Sequence, residues 1–251
     1  MPAADPTIDT VLGGRLRLGQ PAKGHRTGTD AILAAAAVPA RSGDSVCDFG
    51  AGVGAAGLAV LVRVPKTRAL LIEIDSHIAA MAEANVLAND LAARARVLAI
   101  DVGIAGTAAT SALASSADHV VSNPPFNASG SGRMPPDATT ARARVAEEGQ
   151  LEDWMRAAAR VLKPGGSLTL IHRPEALQEI LGALSRRYGG IALRFVHGEA
   201  ASPAVRVLVH ARKDSRAPLR VLPPLVLNAS GGGFTAEAEA LHRDLTAIDM
   251  S

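Results

Sequence analysis

Three carboxylates and a dense run of glycines carry the chemistry of this chain. Residues 48–57 read DFGAGVGAAG, with Asp48 at the head. Glu73 closes the apolar run RALLIE, and Asp101 closes RVLAID. Glycines this close together let the backbone turn tightly and let a ligand approach the main chain. Carboxylates at the ends of successive strands attract cations and hydroxyl groups and repel phosphate. Further on, residues 122–126 read SNPPF. Neither proline can donate a backbone hydrogen bond, so the pair ends the preceding run DHVV and stiffens the chain. The Asn123 amide then stands at a rigid break, beside the free carbonyl of Pro124.

The glycine loop has two parses. Gly52-Val-Gly54-Ala-Ala-Gly57 fits the dinucleotide pattern GxGxxG, with Glu73 about twenty residues on, as that pattern expects. Asp48-Phe-Gly50-Ala-Gly52-Val-Gly54 fits the DxGxGxG loop of S-adenosylmethionine (SAM) enzymes. A pyrophosphate wants the bare N-terminus of a helix. SAM brings a sulfonium and an amino-acid head group, beside which carboxylates help. Asp48 is expected to face that head group, Glu73 to accept from both ribose hydroxyls, and Asp101 to accept from the adenine amine. Any one of these acids could equally be a helix N-cap or a solvated loop residue, and the glycines alone could be a plain tight turn. All three acids with the glycine loop favour SAM.

A methyl acceptor must then lie at the same edge, facing the sulfonium. For a planar amine such as adenine N6, the lone pair is delocalised into the ring and attacks poorly. The Asn123 side-chain oxygen can accept one N–H and the Pro124 carbonyl the other, which favours an sp3-like nitrogen aimed at the methyl group. Pro125 helps lock that carbonyl in place. Phe126 offers a stacking face, worth roughly 1–3 kcal/mol for a base. Positioning of this kind needs no strong general base. The bland alternative is a proline-rich turn with a core Phe.

These residues need elements to hold them. Thr29-Asp30 opens an alanine-rich helix that stops at Pro39. SVCDFG, TRALLIEID, RVLAID, DHVVSNPP and SLTLIHR read as strands, with helices over 55–63, 76–89, 150–162 and 174–187. Residues 127–149 read as a long loop and Lys163-Pro-Gly-Gly as a turn. Residues 191–197 and 205–211 read as a hairpin-like pair. Strands alternating with helices predict an α/β fold: a mostly parallel, seven-stranded, doubly wound sheet with a final antiparallel strand. Residues 1–44 are expected to form an N-terminal extension with a cofactor-covering helix, and 45–251 the main domain, one domain overall.

Composition narrows the classes. The formal net charge is +2, and the hydrophobic fraction of 48% supports a well-buried core. A single cysteine, Cys47, precludes an intrachain disulfide and argues against a cysteine-based metal site, so no metal is expected. No apolar run reaches membrane-spanning length and the first ten residues lack a signal-peptide pattern, so the expected location is cytoplasmic. Basic residues cluster: Arg15, Arg17, Lys23 and Arg26 precede Gly28; Arg133, Arg142 and Arg144 follow Phe126; and Arg206, Arg212, Lys213, Arg216 and Arg220 lie near the C-terminus. The first two groups are expected to flank the acceptor side of the pocket and hold RNA phosphates. The bland reading is solvated surface.

SNPPF resembles the (Asn/Asp/Ser)-Pro-Pro-aromatic motif of amino-group methyltransferases. With DFGAGVG, IEID, AID and LKPGG, the chain resembles class I SAM-dependent methyltransferases over residues 45–211, which implies a Rossmann-like fold. A narrower resemblance covers nearly the whole chain: GHRTGTDAILAAAAVP and PLVLNASGGGFTAEAEALHRD are similar to the lead-in and tail of the bacterial valine-tRNA adenine-N6-methyltransferase family. That resemblance implies methylation of the adenine beside the anticodon, with transfer RNA as partner and SAM as cofactor. By position it adds Gly28, Thr29 and Asp30 to a cofactor set of Asp48, Gly50, Ala51, Gly52, Glu73, Ile74, Asp101, Val102 and Asn123. The family often has Tyr where Phe126 stands, so a hydroxyl contact is lost while stacking is kept, and the tail's three glycines are looser than its usual turn. Guanine-N2 ribosomal RNA enzymes and glutamine-N5 protein methyltransferases share the motif. A nicotinamide dehydrogenase would need only GxGxxG, and a SAM-binding protein without catalysis is a further alternative.

Overall fold

Phe49, Leu71 and Val121 sit at the centre of a twisted sheet, and their side chains leave no surface exposed. The computed structural model describes residues 7–22, 28–124 and 138–250, with the backbone alone for 138–149. Its strands are β1 (Thr7–Val11), β2 (Leu16–Gln20), β3 (Ser45–Phe49), β4 (Arg68–Glu73), β5 (Ala95–Ala99), β6 (Ala117–Ser122), β7 (Leu162–His172), β8 (Tyr188–His197), β9 (Ala204–Lys213), β10 (Arg220–Val221) and β11 (Leu225–Val226). Its α-helices are α1 (Thr29–Ala37), α2 (Ala55–Arg63), α3 (Ser76–Ala88), α4 (Ala138–Val161), α5 (Leu177–Leu184) and α6 (Ala236–Arg243).

The main sheet runs β10-β8-β9-β7-β6-β3-β4-β5, and β11 also pairs with β8. Strands β3 to β7 are parallel, while β9 lies antiparallel between β7 and β8. This is the Rossmann-like arrangement, seven long strands with one reversed. The strand count differs from seven because β10 and β11 each add two residues along the edge of β8. Pro223 and Pro224 separate them and keep each one short.

Alternation along the strands builds two apolar layers. Val46, Leu71, Val121, Ile171 and Leu208 face α1, α2 and α6. Cys47, Ile72, Val120, Leu170 and Val209 face α4 and α5. Helix α1 is buried at every residue from Ala31 to Ala37. A methyl group is the largest side chain most of those positions could hold between α2 and the sheet.

Three local expectations change. Helix α4 begins at Ala138, so residues 138–149 are helix rather than loop; Ala, Arg and Glu favour the helix once its later turns pack on the sheet. Lys163-Pro-Gly-Gly is not a turn between elements. It bulges within β7, where the register against β6 jumps from Ala117↔Leu162 to His119↔Ser167. The helix expected over 174–187 opens as a 3-10 turn at Pro174–Ala176 and continues as α5.

The N-terminal segment holds an unexpected hairpin, β1 with β2. Leu16 and Leu18 are fully buried in the α2 layer. Asn85 of α3 fastens β2 to the domain: its Oδ1 accepts from Gly19 N at 2.7 Å, and its Nδ2 donates to Gly19 O at 3.0 Å and Val53 O at 2.9 Å. Asn89 repeats the pattern on Arg17, accepting from its amide at 2.9 Å and donating to its carbonyl at 2.7 Å.

Asn85→Ala should cost roughly 2–3 kcal/mol, because it strands buried backbone groups of Gly19 and Val53. Urea unfolding measures that loss. Hydrogen exchange should also show β2 losing protection ahead of β3 and β4, and an unchanged β2 would mean that the leucines alone dock the hairpin.

Candidate active site

Strands β3, β4 and β5 end at one edge, and their closing residues line one cleft of about 520 Å3. Asp48, Gly50, Ala51, Gly52, Glu73, Ile74, Asp101, Val102 and Asn123 all line it. Gly50, Gly52 and Gly54 take positive φ angles of 64°, 56° and 91°, which turn the chain from β3 into α2. At Gly50 a Cβ would lie 2.6 Å from the Trp154 ring. At Gly57 it would lie 2.3 Å from Leu71, so that glycine sets how closely α2 approaches β4.

The carboxylates hold this turn. Asp48 is 2% exposed, and its Oδ2 accepts from Gly57 N at 2.7 Å. Burial pushes its carboxyl up to about 7; the Gly57 amide opposes that rise, and the charge of Glu73 adds to it. Glu73 accepts from Gly52 N at 2.8 Å and from Asp75 N at 3.0 Å. Asp101 accepts from Gly103 N at 2.7 Å and so caps a 3-10 turn, the structural role weighed for such an acid. A cap uses one of its oxygens, and the residue still borders the cleft.

The same bonds separate the two parses of the glycine loop. A pyrophosphate draws on free backbone amides of the glycine loop and on cationic side chains around it. Here Ala51 N donates to Ile72 O, Gly54 N to Ala51 O, Gly52 N to Glu73 and Gly57 N to Asp48. No Lys or Arg is among the described residues that line the cleft, whereas three carboxylates are. This donor set fits a cation with hydroxyl groups and disfavours a diphosphate. Asp48 is a buried acid for which the cleft supplies no cationic side chain, and a sulfonium or ammonium group would supply the missing charge.

Asn123 follows the last residue of β6. Its Oδ1 is buried and accepts no hydrogen bond among the described residues. Buried polar atoms are seldom left this way without a role. Ser122 just before it anchors the turn, its Oγ donating to Phe49 O at 3.0 Å. Pro124 is buried as well. Pro125 and Phe126 lie outside the described residues, as do Lys23, Arg26, Arg133 and the side chains of Arg142 and Arg144.

Other expected residues lie elsewhere. Gly28, Thr29 and Asp30 do not line the cleft; Ala31 does. Successive helical residues point about 100° apart, and Asp30 turns to Arg206, whose Nε donates to it at 2.7 Å. Arg17 donates to Ala88 O at the end of α3 at 2.6 Å, and Arg15 donates to Arg243 O at the end of α6. Both therefore cap helix C-termini, and neither lines the cleft. The C-terminal basic group also divides, since Arg206 pairs with Asp30 while Arg212 and Arg220 border a wider groove of about 890 Å3 at the opposite sheet edge. That groove holds the ion pair Lys163–Asp118 at 2.8 Å and the hydrogen-bonded pair His119–Asp44 at 3.0 Å, and none of the candidate residues.

Among the cleft residues that the sequence reading missed, four come from distant elements: Gln20 and Pro21 at the end of the hairpin, and Gln150 and Trp154 from α4. Only Trp154 carried a signal, as the single tryptophan of a chain with 2% aromatics. The others reach the cleft through docking that local pattern does not encode.

A glycine turn held by strand-end acids, on a doubly wound sheet with one reversed strand, defines a class I SAM-dependent methyltransferase. Residues 24–191 match the model of the methyltransferase small domain, and the chain belongs to that family. It is 33% identical over 159 residues to a tRNA1(Val) (adenine(37)-N6)-methyltransferase of Aeromonas hydrophila, covering 62% of this chain and 63% of that protein. It is 30% identical over 145 residues to a ribosomal RNA small subunit methyltransferase C of Hahella chejuensis, covering 57% of this chain and 35% of that one. The chain thus spans less than two thirds of either relative. A crystal structure described as a predicted O-methyltransferase from Agrobacterium tumefaciens superposes with a TM-score of 0.73 at 33% identity, covering 88% of this chain and 98% of that one.

A cation beside Asp48 favours its ionised form, so SAM binding should release a proton wherever the free protein holds one there. Affinity should then rise with pH, by at most roughly tenfold per unit, and level off above the Asp48 value of about 7. Calorimetry between pH 5.5 and 8.5 measures this, and Asp48→Asn should flatten the profile. A flat profile in the unaltered protein would separate Asp48 from the cationic part of the ligand.

Proposed function

We propose that this chain transfers a methyl group to an exocyclic amine of a nucleobase, adenine N6 in transfer RNA near the anticodon. The observation that carries the proposal is the buried Asn123 Oδ1, which has no hydrogen-bond partner among the described residues, at the edge where the strand-end acids lie. When bound, SAM supplies an electrophilic methyl group on its sulfonium. Glu73 and Asp101 orient the ligand through its hydroxyl and amino groups, and Asp48 offsets its positive charge. Asn123 Oδ1 accepts a hydrogen bond from one N–H of the acceptor amine. The Pro124 carbonyl accepts from the other, so the nitrogen lone pair is held toward the cleft. The amine gives up one proton to solvent as the methyl group takes its place. Phe126 stacks on the base. Rate comes from this alignment and from keeping water out.

The resemblance to the Aeromonas hydrophila protein supports adenine N6 as the acceptor, and the resemblance to the Hahella chejuensis protein supports guanine N2 in ribosomal RNA as the second reading. Both acceptors are planar amines and suit Asn123 equally. A hydroxyl acceptor has one proton to donate and leaves one of the two acceptors unused.

Incubation of the protein with SAM and unmodified transfer RNA should yield N6-methyladenosine on nucleoside mass spectrometry. N2-methylguanosine in ribosomal RNA instead would select the second reading, and methylation of neither RNA would sink both. Asn123→Ala should lower kcat and kcat/KM together by roughly 100-fold or more, with SAM affinity nearly unchanged. Near-normal turnover in that variant would remove Asn123 from the reaction.

A further inference from the structure

Aromatic rings are scarce in this chain, and the fold hides nearly all it describes. Phe49 is fully buried, Tyr188 is 6% exposed and Trp154 is 9% exposed. Phe234 is the exception: at 43% it is the exposed aromatic among the described residues. It is also held in place. Asn228 and Phe234 pair as an isolated antiparallel bridge, with Ala229 N donating to Gly233 O and Gly232 N to Ala229 O, both at 3.0 Å. Thr235 N then donates to Leu227 O at 2.8 Å and closes the turn. The ring stacks on His242, with centroids 4.5 Å apart and planes 16° from parallel.

His242 is fixed in its turn. Its Nδ1 donates to Ala238 O at 2.7 Å, and its Nε2 lies 3.4 Å from Thr29 Oγ1. Thr29 opens α1, and Ala31, two residues along, is cleft wall. Asn228 N also donates to Gly198 O, just past the end of β8, and β8 runs in the same direction as the parallel strands, so the stacked pair stands at the same sheet edge as the cleft. At the end of α6, Arg243 is largely exposed and pairs with Glu239 at 2.6 Å, and Arg15 donates to the Arg243 carbonyl. A half-exposed ring locked from behind is the aromatic part of a stacking platform for single-stranded nucleic acid.

We infer that Phe234, backed by His242, stacks on a nucleobase that flanks the methylated one and so positions the RNA loop over the cleft. The inference rests on the nucleobase reading above. Phe234 makes no contact with the cofactor cleft, so its role is in RNA binding and not in the methyl transfer itself.

The test compares affinity for unmodified transfer RNA at fixed salt in the unaltered protein, Phe234→Ala and Phe234→Tyr, with SAM affinity and Tm measured alongside. Phe234→Ala should weaken RNA binding by roughly 5- to 100-fold, the range expected for one lost base–aromatic stack. Phe234→Tyr should keep it, and SAM affinity should not move. RNA affinity unchanged in Phe234→Ala overturns the platform while leaving the nucleobase reading intact. An equal loss in the Tyr and Ala variants with a lowered Tm overturns it too, since the ring would then only be packing. If the unaltered protein binds no RNA, the nucleobase reading fails and the platform fails with it. Ultraviolet crosslinking of the unaltered protein to RNA gives a readout free of folding effects: the peptide bearing Phe234 should carry the adduct, and its absence from the adducts counts against the platform.

Discussion

Asp48 accepting the Gly57 amide is the contact on which the site depends. A carboxylate buried to this degree is unfavourable without compensation. Here it ties the end of β3 to the first turn of α2, and Glu73 repeats the tie from β4 to Gly52. The two acids thus shape the glycine turn before any ligand arrives. They also occupy its amides and concentrate negative charge at the parallel strands' C-terminal edge. One arrangement therefore builds the loop, selects a cation and turns away a diphosphate.

The wall opposite the glycine loop comes from distant parts of the chain. Trp154 of α4 lies against Gly50, where a side chain larger than hydrogen would collide with its ring. Gln20 and Pro21 arrive on a hairpin that α3 holds through Asn85 and Asn89. Loosening either asparagine would shift cleft residues without touching the acids. Fold stability and cleft shape are coupled through those two amides.

Charge is divided by the same geometry. Arginines that look like one cluster along the chain separate on folding. Arg15, Arg17 and Arg63 meet the last carbonyls of α6, α3 and α1, where a cation offsets the negative end of the helix. Arg206 meets Asp30, and Arg212 and Arg220 turn to the far edge. Spacing along a sequence reports composition, but partners decide whether a guanidinium is structural or available.

Local pattern was enough for much of this protein. Helix α2 falls over residues 55–63, as its periodicity requires, and β3, β4, β5 and β6 end where glycine, acid or proline interrupts the apolar run. The place of the acids and Asn123 was legible because parallel strands bring their C-terminal ends to one edge. What chain pattern could not supply was anything that depends on partners far away. The hairpin is short and becomes a strand pair only against α3; α4 extends back to Ala138 beyond the apolar stripe that marked its later turns; and Lys163-Pro-Gly-Gly reads as a turn although β6 draws it into a bulged strand. Asp30, expected by position to help hold SAM, accepts from Arg206, 176 residues away, a partner that spacing could not reveal. Residue type and spacing determined which groups could do chemistry. Tertiary packing decided which of them share a cleft, because helix rotation and docking set where each side chain points.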